Sequence, residues 1–270
     1  MNIKNKTILV TGAGSGIGKE LVLALLKKGA KVAAVDIHQE TLQELKESVS
    51  EKKEHLATYV VDISNKIAVE NLPKEIAAKQ GSIDAIINNA GIIQPFVRVN
   101  DLDYEAINRV MNVNFFGTLY MVKAFLPLLL KRPEAHIVNI SSMGGFLPVP
   151  GQSVYGASKA AVKLLTEGLY AELKETNVRV SVVFPGATQT NITKNSGLKE
   201  LKISENNSQN QSIQMLPASE AARLIVLGME KNKLQIFLGK DSKFMNALYR
   251  LNPVFATNLI AKKMKSLLPK

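Results

Sequence analysis

The segment ILVTGAGSGIGKEL, residues 8–21, sets Gly12, Gly16 and Gly18 between a short apolar run and a helical pattern. Gly12, Gly16 and Gly18 permit a tight turn and let a pyrophosphate approach a backbone that carries no Cβ atoms. A helix beginning near Gly16 directs its free N–H groups and the positive end of its dipole at such a phosphate. Three glycines also occur in ordinary turns, so the surrounding pattern has to decide.

That pattern is a strand, the glycine loop, a helix and a second strand that ends at Asp36. Asp36 follows Gly18 by 18 residues, close to the roughly 20 expected of an acid that binds an adenosine ribose. Its carboxylate would bind the 2′-hydroxyl and repel a 2′-phosphate. Neither Ser15 nor Ile37 offers a cation for that phosphate, so we expect NAD(H) rather than NADP(H).

Apolar strand-like runs alternate with helical patterns along most of the chain. This alternation predicts an α/β fold, namely a single Rossmann-type, doubly wound parallel sheet with helices on both faces. The uniformly apolar strands agree, because both faces of such a sheet are covered. Among the helices, we expect one near residues 66–80, one long apolar helix around residues 107–131 and one that ends at Leu173.

Composition excludes several classes of function. The 270 residues include no cysteine, which rules out disulfides and thiolate catalysis, and the three histidines lack ligand spacing, so no metal site is expected. We see no signal peptide and no apolar run of about 18 residues, and we expect a cytoplasmic protein. The net charge is +11, of which residues 231–270 supply +8 through nine Lys or Arg against one acid. No aromatic-interleaved basic platform accompanies this charge, so we expect no nucleic-acid binding.

A second segment, SVYGASK at residues 153–159, places Tyr155 four positions before Lys159. On a helix these two side chains share a face. A nearby cation favours the phenolate and lowers the phenol's pKa from its usual value near 10, which suits proton transfer. Taken alone, Tyr-x-x-x-Lys also describes an ordinary helix with a solvated lysine.

Further motifs fall in a fixed order along the chain: TGAGSGIG (11–18), VDI (61–63), NNAG (88–91), NVNFFG (112–117), NISS (139–142), YGASK (155–159) and PGATQT (185–190). As a set they resemble the short-chain dehydrogenase/reductase family, whose glycine spacing is also Gly-x-x-x-Gly-x-Gly. The resemblance covers about residues 6–190.

The resemblance implies an NAD(H)-dependent oxidoreductase that interconverts a secondary alcohol and a ketone. Tyr155 is then the general acid and base, Lys159 lowers its pKa and holds the nicotinamide ribose, Ser142 orients the substrate, and Asn114 anchors a water that links Lys159 to solvent. A catalytically silent module that senses NAD(H) is the alternative. The implied cofactor-binding residues are Gly12, Ser15, Gly16, Ile17, Gly18, Asp36, Asp62, Ile63, Asn89, Ala90, Gly91, Tyr155, Lys159, Pro185, Gly186, Thr188 and Thr190.

Apolar residues flank the expected site. Ile92, Ile93, Pro95 and Phe96 follow NNAG, and residues 146–150 lie between Ser142 and Tyr155. If they line the pocket, the substrate is a lipophilic alcohol or ketone of steroid, retinoid or fatty type. Packing in the core is the alternative.

We divide the chain into a cofactor-binding catalytic domain, residues 1–240, and a basic helical extension of it, residues 241–270. Residues 191–217 are polar and occupy the place of the family's substrate lid. About 30 residues follow the last predicted strand, LQIFLG, where shorter family members end. We therefore expect a homodimer formed by the long helices near 104–130 and 154–173, with a tetramer as the alternative.

The extension itself predicts two helices. Phe244, Leu248 and Leu251 recur at the spacing of one helical face, and Asn252 followed by Pro253 has the form of an N-cap that starts a second helix. In that second helix an apolar stripe is bordered by lysines, which fits either peripheral contact with an anionic membrane or packing on protein. The stripe consists of Ile260, Met264, Leu267 and Leu268, and its neighbours are Lys262, Lys263 and Lys265.

Overall fold

The structure is a computed structural model that describes residues 1–198 and 215–265. Its centre is one seven-stranded sheet in the order β3-β2-β1-β4-β5-β6-β7, and all neighbouring strands are parallel. The predicted doubly wound α/β fold is therefore confirmed. The strands are β1 (Thr7–Thr11), β2 (Lys31–Asp36), β3 (Leu56–Val60), β4 (Ala85–Asn88), β5 (Ala135–Ile140), β6 (Val178–Pro185) and β7 (Gln235–Leu238).

Helices cover both faces of this sheet and extend beyond its last strand. The helix expected near residues 66–80 is α3, with those same bounds. The helices are α1 (Gly16–Lys27), α2 (Gln39–Ser48), α3 (Lys66–Gln80), α4 (Tyr104–Met111), α5 (Thr118–Leu129), α6 (Ser153–Glu172), α7 (Ile192–Asn195), α8 (Ala218–Glu230), α9 (Lys240–Leu251) and α10 (Pro253–Met264).

Two hydrophobic cores lie on opposite faces of the sheet. All five residues of β1 are buried, because successive side chains point to opposite faces and both faces are covered. Ile8 and Val10 pack into the core that includes α1 and α8, whereas Leu9 packs into the core that includes α3 and α5. A one-residue slip of β1 would exchange these side chains between the cores, so the register is fixed by packing.

The strand order reverses between β1 and β4, and a crevice opens at the carboxyl ends of these strands. Thr11, the last residue of β1, ties the two edges together. Its hydroxyl accepts hydrogen bonds from the backbone N–H groups of Asn89 (3.0 Å) and Ala90 (3.1 Å), and the Asn89 side chain donates to the Thr11 carbonyl (3.0 Å). The glycine loop and the NNAG turn are thus held side by side.

The expected single helix around residues 107–131 is interrupted. α4 and α5 are joined by a π-helical turn over Asn112–Gly117. Within it, the buried side chain of Asn114 bonds both backbone groups of Ile92 (2.9 Å each), and the Thr118 hydroxyl donates to the Asn114 carbonyl (2.8 Å). These contacts hold Asn114 in the wider turn, which periodicity alone did not predict.

The first predicted tail helix is confirmed as α9, but the three residues of its apolar face do not all pack on the body. Phe244 and Leu251 are 61% and 85% exposed, and only Leu248 packs against the apolar cluster beneath α9. The rotation of α9 is set by its first turn, where the Ser242 hydroxyl donates to the Phe184 carbonyl (2.9 Å). That bond turns Met245, three residues on, toward the body and Phe244 toward solvent.

The predicted start of α10 is confirmed, since it begins at Pro253 and the Asn252 side chain accepts from the Phe255 N–H (2.9 Å). Ile260 of the apolar stripe packs on the cluster beneath α9, while Leu267 and Leu268 lie outside the described residues. Within residues 1–198 and 215–265, no helix has the length and apolar character needed to span a bilayer.

Buried His136 makes stability depend on pH. Its Nε2 lies 2.8 Å from the Ser181 hydroxyl, and because that hydroxyl itself donates to the Lys233 carbonyl, the imidazole donates from Nε2. Burial, reinforced by the N-terminal ammonium and Arg179, lowers the pKa of His136 to about 3. The unfolded chain therefore binds this proton more readily than the folded chain does.

Above pH about 6.5, His136 makes no pH-dependent contribution to the free energy of unfolding. We predict that below this pH the free energy of unfolding falls by up to about 1.4 kcal/mol per pH unit as the pH decreases toward 4. His136→Leu removes this contribution, so its stability should fall less steeply with acid than that of the wild type. Urea unfolding at several pH values measures both slopes. Parallel slopes would show that His136 does not carry the effect.

Candidate active site

The glycine loop between β1 and α1 leaves no space for a side chain at Gly12 or at Gly18. Gly12 has a φ of 63°, and a Cβ there would lie 2.9 Å from the Ala90 Cα atom. A Cβ on Gly18 would overlap the Gly12 carbonyl oxygen. The loop can therefore bring its backbone close both to the NNAG turn and to a ligand, as a phosphate-binding loop requires.

Asp36 is fixed at the end of β2 by two backbone amides. Its Oδ2 accepts from the Gly14 N–H (2.9 Å) and its Oδ1 from the His38 N–H (3.0 Å). The predicted acid is thus joined to the glycine loop and is oriented at the crevice. Asp62, after β3, lies exposed at the same edge, where its Oδ1 accepts from the Ser64 N–H and hydroxyl.

A cleft of about 480 Å³ runs along this edge of the sheet. It brings together all the predicted site residues except Gly18 and Asn114, which lie behind its wall. Sequence reasoning did not assign other residues of the wall, such as Arg109 and Val113 on the side of α4. The predicted residues that line the cleft are Gly12, Ser15, Gly16, Ile17, Asp36, Asp62, Ile63, Asn89, Ala90, Gly91, Ser142, Tyr155, Lys159, Pro185, Gly186, Thr188 and Thr190.

Tyr155 and Lys159 occupy the inner end of the cleft, one turn apart on α6. Burial raises the pKa of the Tyr155 phenol, and its hydrogen bond with Ser142 opposes that rise. Lys159 is 4% exposed, its Nζ donates to the Ile140 carbonyl (3.1 Å), and burial lowers its pKa to about 8. The ammonium is still the major form at neutral pH.

Asn114 supports this end of the cleft from behind. Besides its two bonds to Ile92, its Nδ2 donates to the Ser158 hydroxyl of α6 (2.9 Å). Gly91 lies between Asn114 and Lys159: a Cβ on Gly91 would be 2.9 Å from the Lys159 Nζ and 3.2 Å from the Asn114 Oδ1. The absence of a side chain at position 91 leaves space for the lysine beside the NNAG turn.

The loop after β6 is held by a residue from the tail, which sequence reasoning missed. Asp241, in the first turn of α9, accepts from the Ala187 N–H (2.8 Å), and its carboxylate fills the space where a Gly186 side chain would be. The only signal in the sequence is that Asp241 is the one acid in a basic tail. Thr11, another missed residue, is hidden because a threonine is ordinary at the end of a strand.

The described part of the predicted lid is residues 191–198 and 215–217, of which Asn191, Ile192 and Asn195 line the cleft. The Asn195 side chain of α7 donates to the Ser15 hydroxyl (2.7 Å), and the Ser196 hydroxyl accepts from the Ile93 N–H (2.9 Å). This segment therefore bridges the glycine loop and the segment after NNAG. Residues 199–214, the rest of the predicted lid, lie outside the described residues.

Of the two alternatives for the apolar residues that flank the site, each holds for some of them. Phe146 packs edge-on against Phe184 and Phe237, and Leu147 is fully buried in the cluster beneath α9. The core-packing alternative therefore holds for these two residues. Ile92 and Ile93 do line the cleft, as the pocket interpretation required.

Comparison with known proteins assigns the chain to a family. A family model described as short chain dehydrogenase matches residues 6–201. This chain belongs to the short-chain dehydrogenase family. The predicted resemblance is confirmed, and with it the class of oxidoreductases.

Several relatives of this short-chain dehydrogenase match most of its length. An oxidoreductase of Mycobacterium tuberculosis, SadH, is 30% identical over 272 residues, covering 99% of this chain and 98% of its own. A short-chain dehydrogenase structure from Burkholderia cenocepacia in complex with NADP has 27% identity and a TM-score of 0.79, covering 96% of this chain and 99% of that one. NAD⁺-bound xylitol dehydrogenase has 26% identity and a TM-score of 0.78, with 88% and 99% covered.

The contact between Asp241 and the loop after β6 leads to a prediction. Asp241→Ala leaves the Ala187 N–H without its charged acceptor, and we expect the dissociation constant for a nicotinamide dinucleotide to rise about three- to tenfold as this loop becomes less ordered. Lys243→Ala, an exposed position two residues on, is the matched control and should leave affinity unchanged. NADH fluorescence titration measures both. Equal affinities for the two variants would exclude a role for Asp241 in the cleft.

Proposed function

We propose that this short-chain dehydrogenase is an NAD(H)-dependent oxidoreductase that interconverts a secondary alcohol and a ketone. The observation that carries the proposal is the group formed by Ser142, Tyr155 and Lys159 at the inner end of the cleft. The bound dinucleotide would supply the hydride acceptor or donor. Turnover of any alcohol or ketone would eliminate the alternative of a silent NAD(H)-sensing module.

In this proposal, Tyr155 transfers the proton. The phenol gives a proton to the carbonyl oxygen during reduction, and the phenolate takes one from the alcohol during oxidation. Moving a phenol pKa from about 10 to about 7 requires roughly 4 kcal/mol of preferential stabilisation of the phenolate. Burial acts in the opposite direction, so the Lys159 ammonium and the Ser142 hydroxyl have to supply the stabilisation.

Ser142 and Asn114 would assist this proton transfer in different ways. Ser142 would donate to the same substrate oxygen as negative charge develops on it. Asn114 would anchor a water that links Lys159 to solvent. The buried position of Asn114 beside Gly91 and Lys159 supports the role of Asn114, since its side chain bonds both to Ile92 after NNAG and to Ser158 of α6.

We propose NAD rather than NADP as the cofactor. The residues fit a dinucleotide, since the glycine loop leaves room for a pyrophosphate and Asp36 faces the adenosine end of the cleft. A carboxylate held there by two amides would accept from the ribose hydroxyls and repel a 2′-phosphate. The related structures include one with NAD⁺ and one with NADP, so Asp36 carries this part of the proposal.

The proposed substrate is a lipophilic alcohol or ketone of steroid, retinoid or fatty type. Ile92, Ile93 and Ile192 give the cleft an apolar wall, which suits an apolar substrate body. Support is narrower than the sequence suggested, because Phe146 and Leu147 belong to the core. Residues 191–217 would act as the lid over this substrate.

We further propose that residues 1–240 form the catalytic domain and that residues 241–270 extend it. In the same proposal two chains pair through α4, α5 and α6, with a tetramer as the alternative. Three large exposed side chains support pairing: Leu164 and Tyr170 on α6, and Phe116 in the π-helical turn that joins α4 to α5. Peripheral membrane contact by the tail rests on exposed Phe244 and Leu251 beside its lysines, whereas Ile260 packs on protein. A cytoplasmic location remains a prediction.

Tyr155→Phe tests the proton-transfer role. The ring still packs, and only the hydroxyl is lost, so we expect turnover to fall at least ~10²-fold with little change in NADH affinity. A panel of lipophilic alcohols and ketones, assayed by NADH absorbance, provides the substrate. Turnover within a few fold of the wild type would remove Tyr155 from the mechanism.

Cofactor choice is tested by comparing kcat/KM for NADH and NADPH. We expect the wild type to prefer NADH, and Asp36→Ala to lose much of that preference, because the carboxylate both binds the ribose and repels the phosphate. Asp62→Ala, which removes an exposed acid from the same edge, is the control and should keep the preference. A wild type that prefers NADPH would contradict the assignment.

A further inference from the structure

Gln94 lies in the segment after NNAG and belongs to none of the family motifs described above, yet its side chain is completely buried. Its Oε1 accepts two hydrogen bonds, from the Val154 N–H (2.8 Å) and from the Tyr155 N–H (2.9 Å). Its Nε2 donates to the Gly151 carbonyl (3.0 Å). One side chain thus binds the backbone of the catalytic helix at the tyrosine itself.

These bonds provide the N-terminal cap of α6. The first N–H groups of a helix have no acceptor within it and need one from elsewhere. Gln152 stands at the N-cap position of α6, but its own side chain makes no capping bond and instead donates to the Gln94 carbonyl (2.8 Å). The cap therefore comes from a segment about 60 residues away in the chain.

The same short segment contacts other parts of the site. Ile92 is held by Asn114, the Ile93 N–H donates to Ser196 of the described lid, and Gly91 lies against Lys159. Gln94 thus connects residues 91–93, which are held by other residues of the site, to the backbone of Val154 and Tyr155. A change in the position of residues 91–94 would move the start of α6 as well.

We propose that Gln94 is a positioning residue for Tyr155: its side-chain oxygen fixes the first turn of α6 and so the location of the phenol relative to Ser142 and Lys159. This proposal rests on the proposed oxidoreductase function. Gln94 does not line the cleft, so it acts through Tyr155 and not on substrate or dinucleotide. Displacements of about 1 Å in a catalytic group reduce rates by up to ~10²-fold.

The test begins with Gln94→Leu, which keeps the approximate volume and removes the three side-chain bonds. We expect kcat to fall at least ~10-fold, within the range that misplacement of a catalytic group produces, while KM and the NADH dissociation constant stay within about threefold. Gln94→Glu retains the acceptor oxygen and should recover most of the lost kcat. A residue that only stabilised the fold would not produce this separation of kcat from affinity.

Gln152→Leu is the matched control. It removes a second buried glutamine from the same contact but leaves both N–H groups of α6 bonded to Gln94, so its kcat should stay within about threefold of the wild type. Thermal unfolding of all three variants shows whether they are folded at the assay temperature. The proposal is overturned if Gln94→Leu retains wild-type kcat, or if Gln152→Leu loses as much.

Amide hydrogen exchange separates this proposal from the proposed function. The Val154 and Tyr155 amides should exchange faster in Gln94→Leu than in the wild type and in Gln152→Leu, a result that needs no substrate. If the wild type oxidises and reduces nothing in the panel, the proposed function fails while this measurement still tests the cap. Unchanged exchange at both amides would overturn the positioning role even in an active enzyme.

Discussion

The hydroxyl of Thr11 accepts hydrogen bonds from two successive backbone amides, those of Asn89 and Ala90, and thereby joins the carboxyl ends of β1 and β4. These strands flank the point where the strand order reverses. These partly buried amides take their acceptor from the neighbouring strand. The close approach that results is possible only because Gly12 has no side chain, so the crevice and its loops depend on this contact.

Burial at the inner end of the cleft disfavours the charged forms of its two ionisable side chains. Burial favours the neutral forms of both Tyr155 and Lys159, raising the pKa of the first and lowering that of the second. Because burial causes both shifts, the pKa values of the two groups depend on the polar groups that stabilise the phenolate and the ammonium. The Ile140 carbonyl supports the ammonium and Ser142 contacts the phenol, so neighbouring polar groups set the proton balance of the site.

The fold and most of the cleft could be predicted from the sequence because their signals are local. Glycine spacing, apolar strands and the four-residue interval between Tyr155 and Lys159 each lie within one segment. The interruption between α4 and α5, the rotation of α9 and the packing of Phe146 instead depend on bonds between distant segments. Periodicity shows that a helix has an apolar face, but α9 has apolar residues on both sides, and a hydrogen bond from Ser242 selects one.

The attachment of α9 to the loop after β6 also has a thermodynamic meaning. Asp241 and Ser242 bond the backbone of Phe184 and Ala187, next to the part of the cleft formed by Gly186 and Thr188. Free-energy coupling between two sites is reciprocal. If the contact with α9 strengthens ligand binding in the cleft, a bound ligand must stabilise that contact by the same free energy. The first turn of α9 therefore shares the constraints of the cleft.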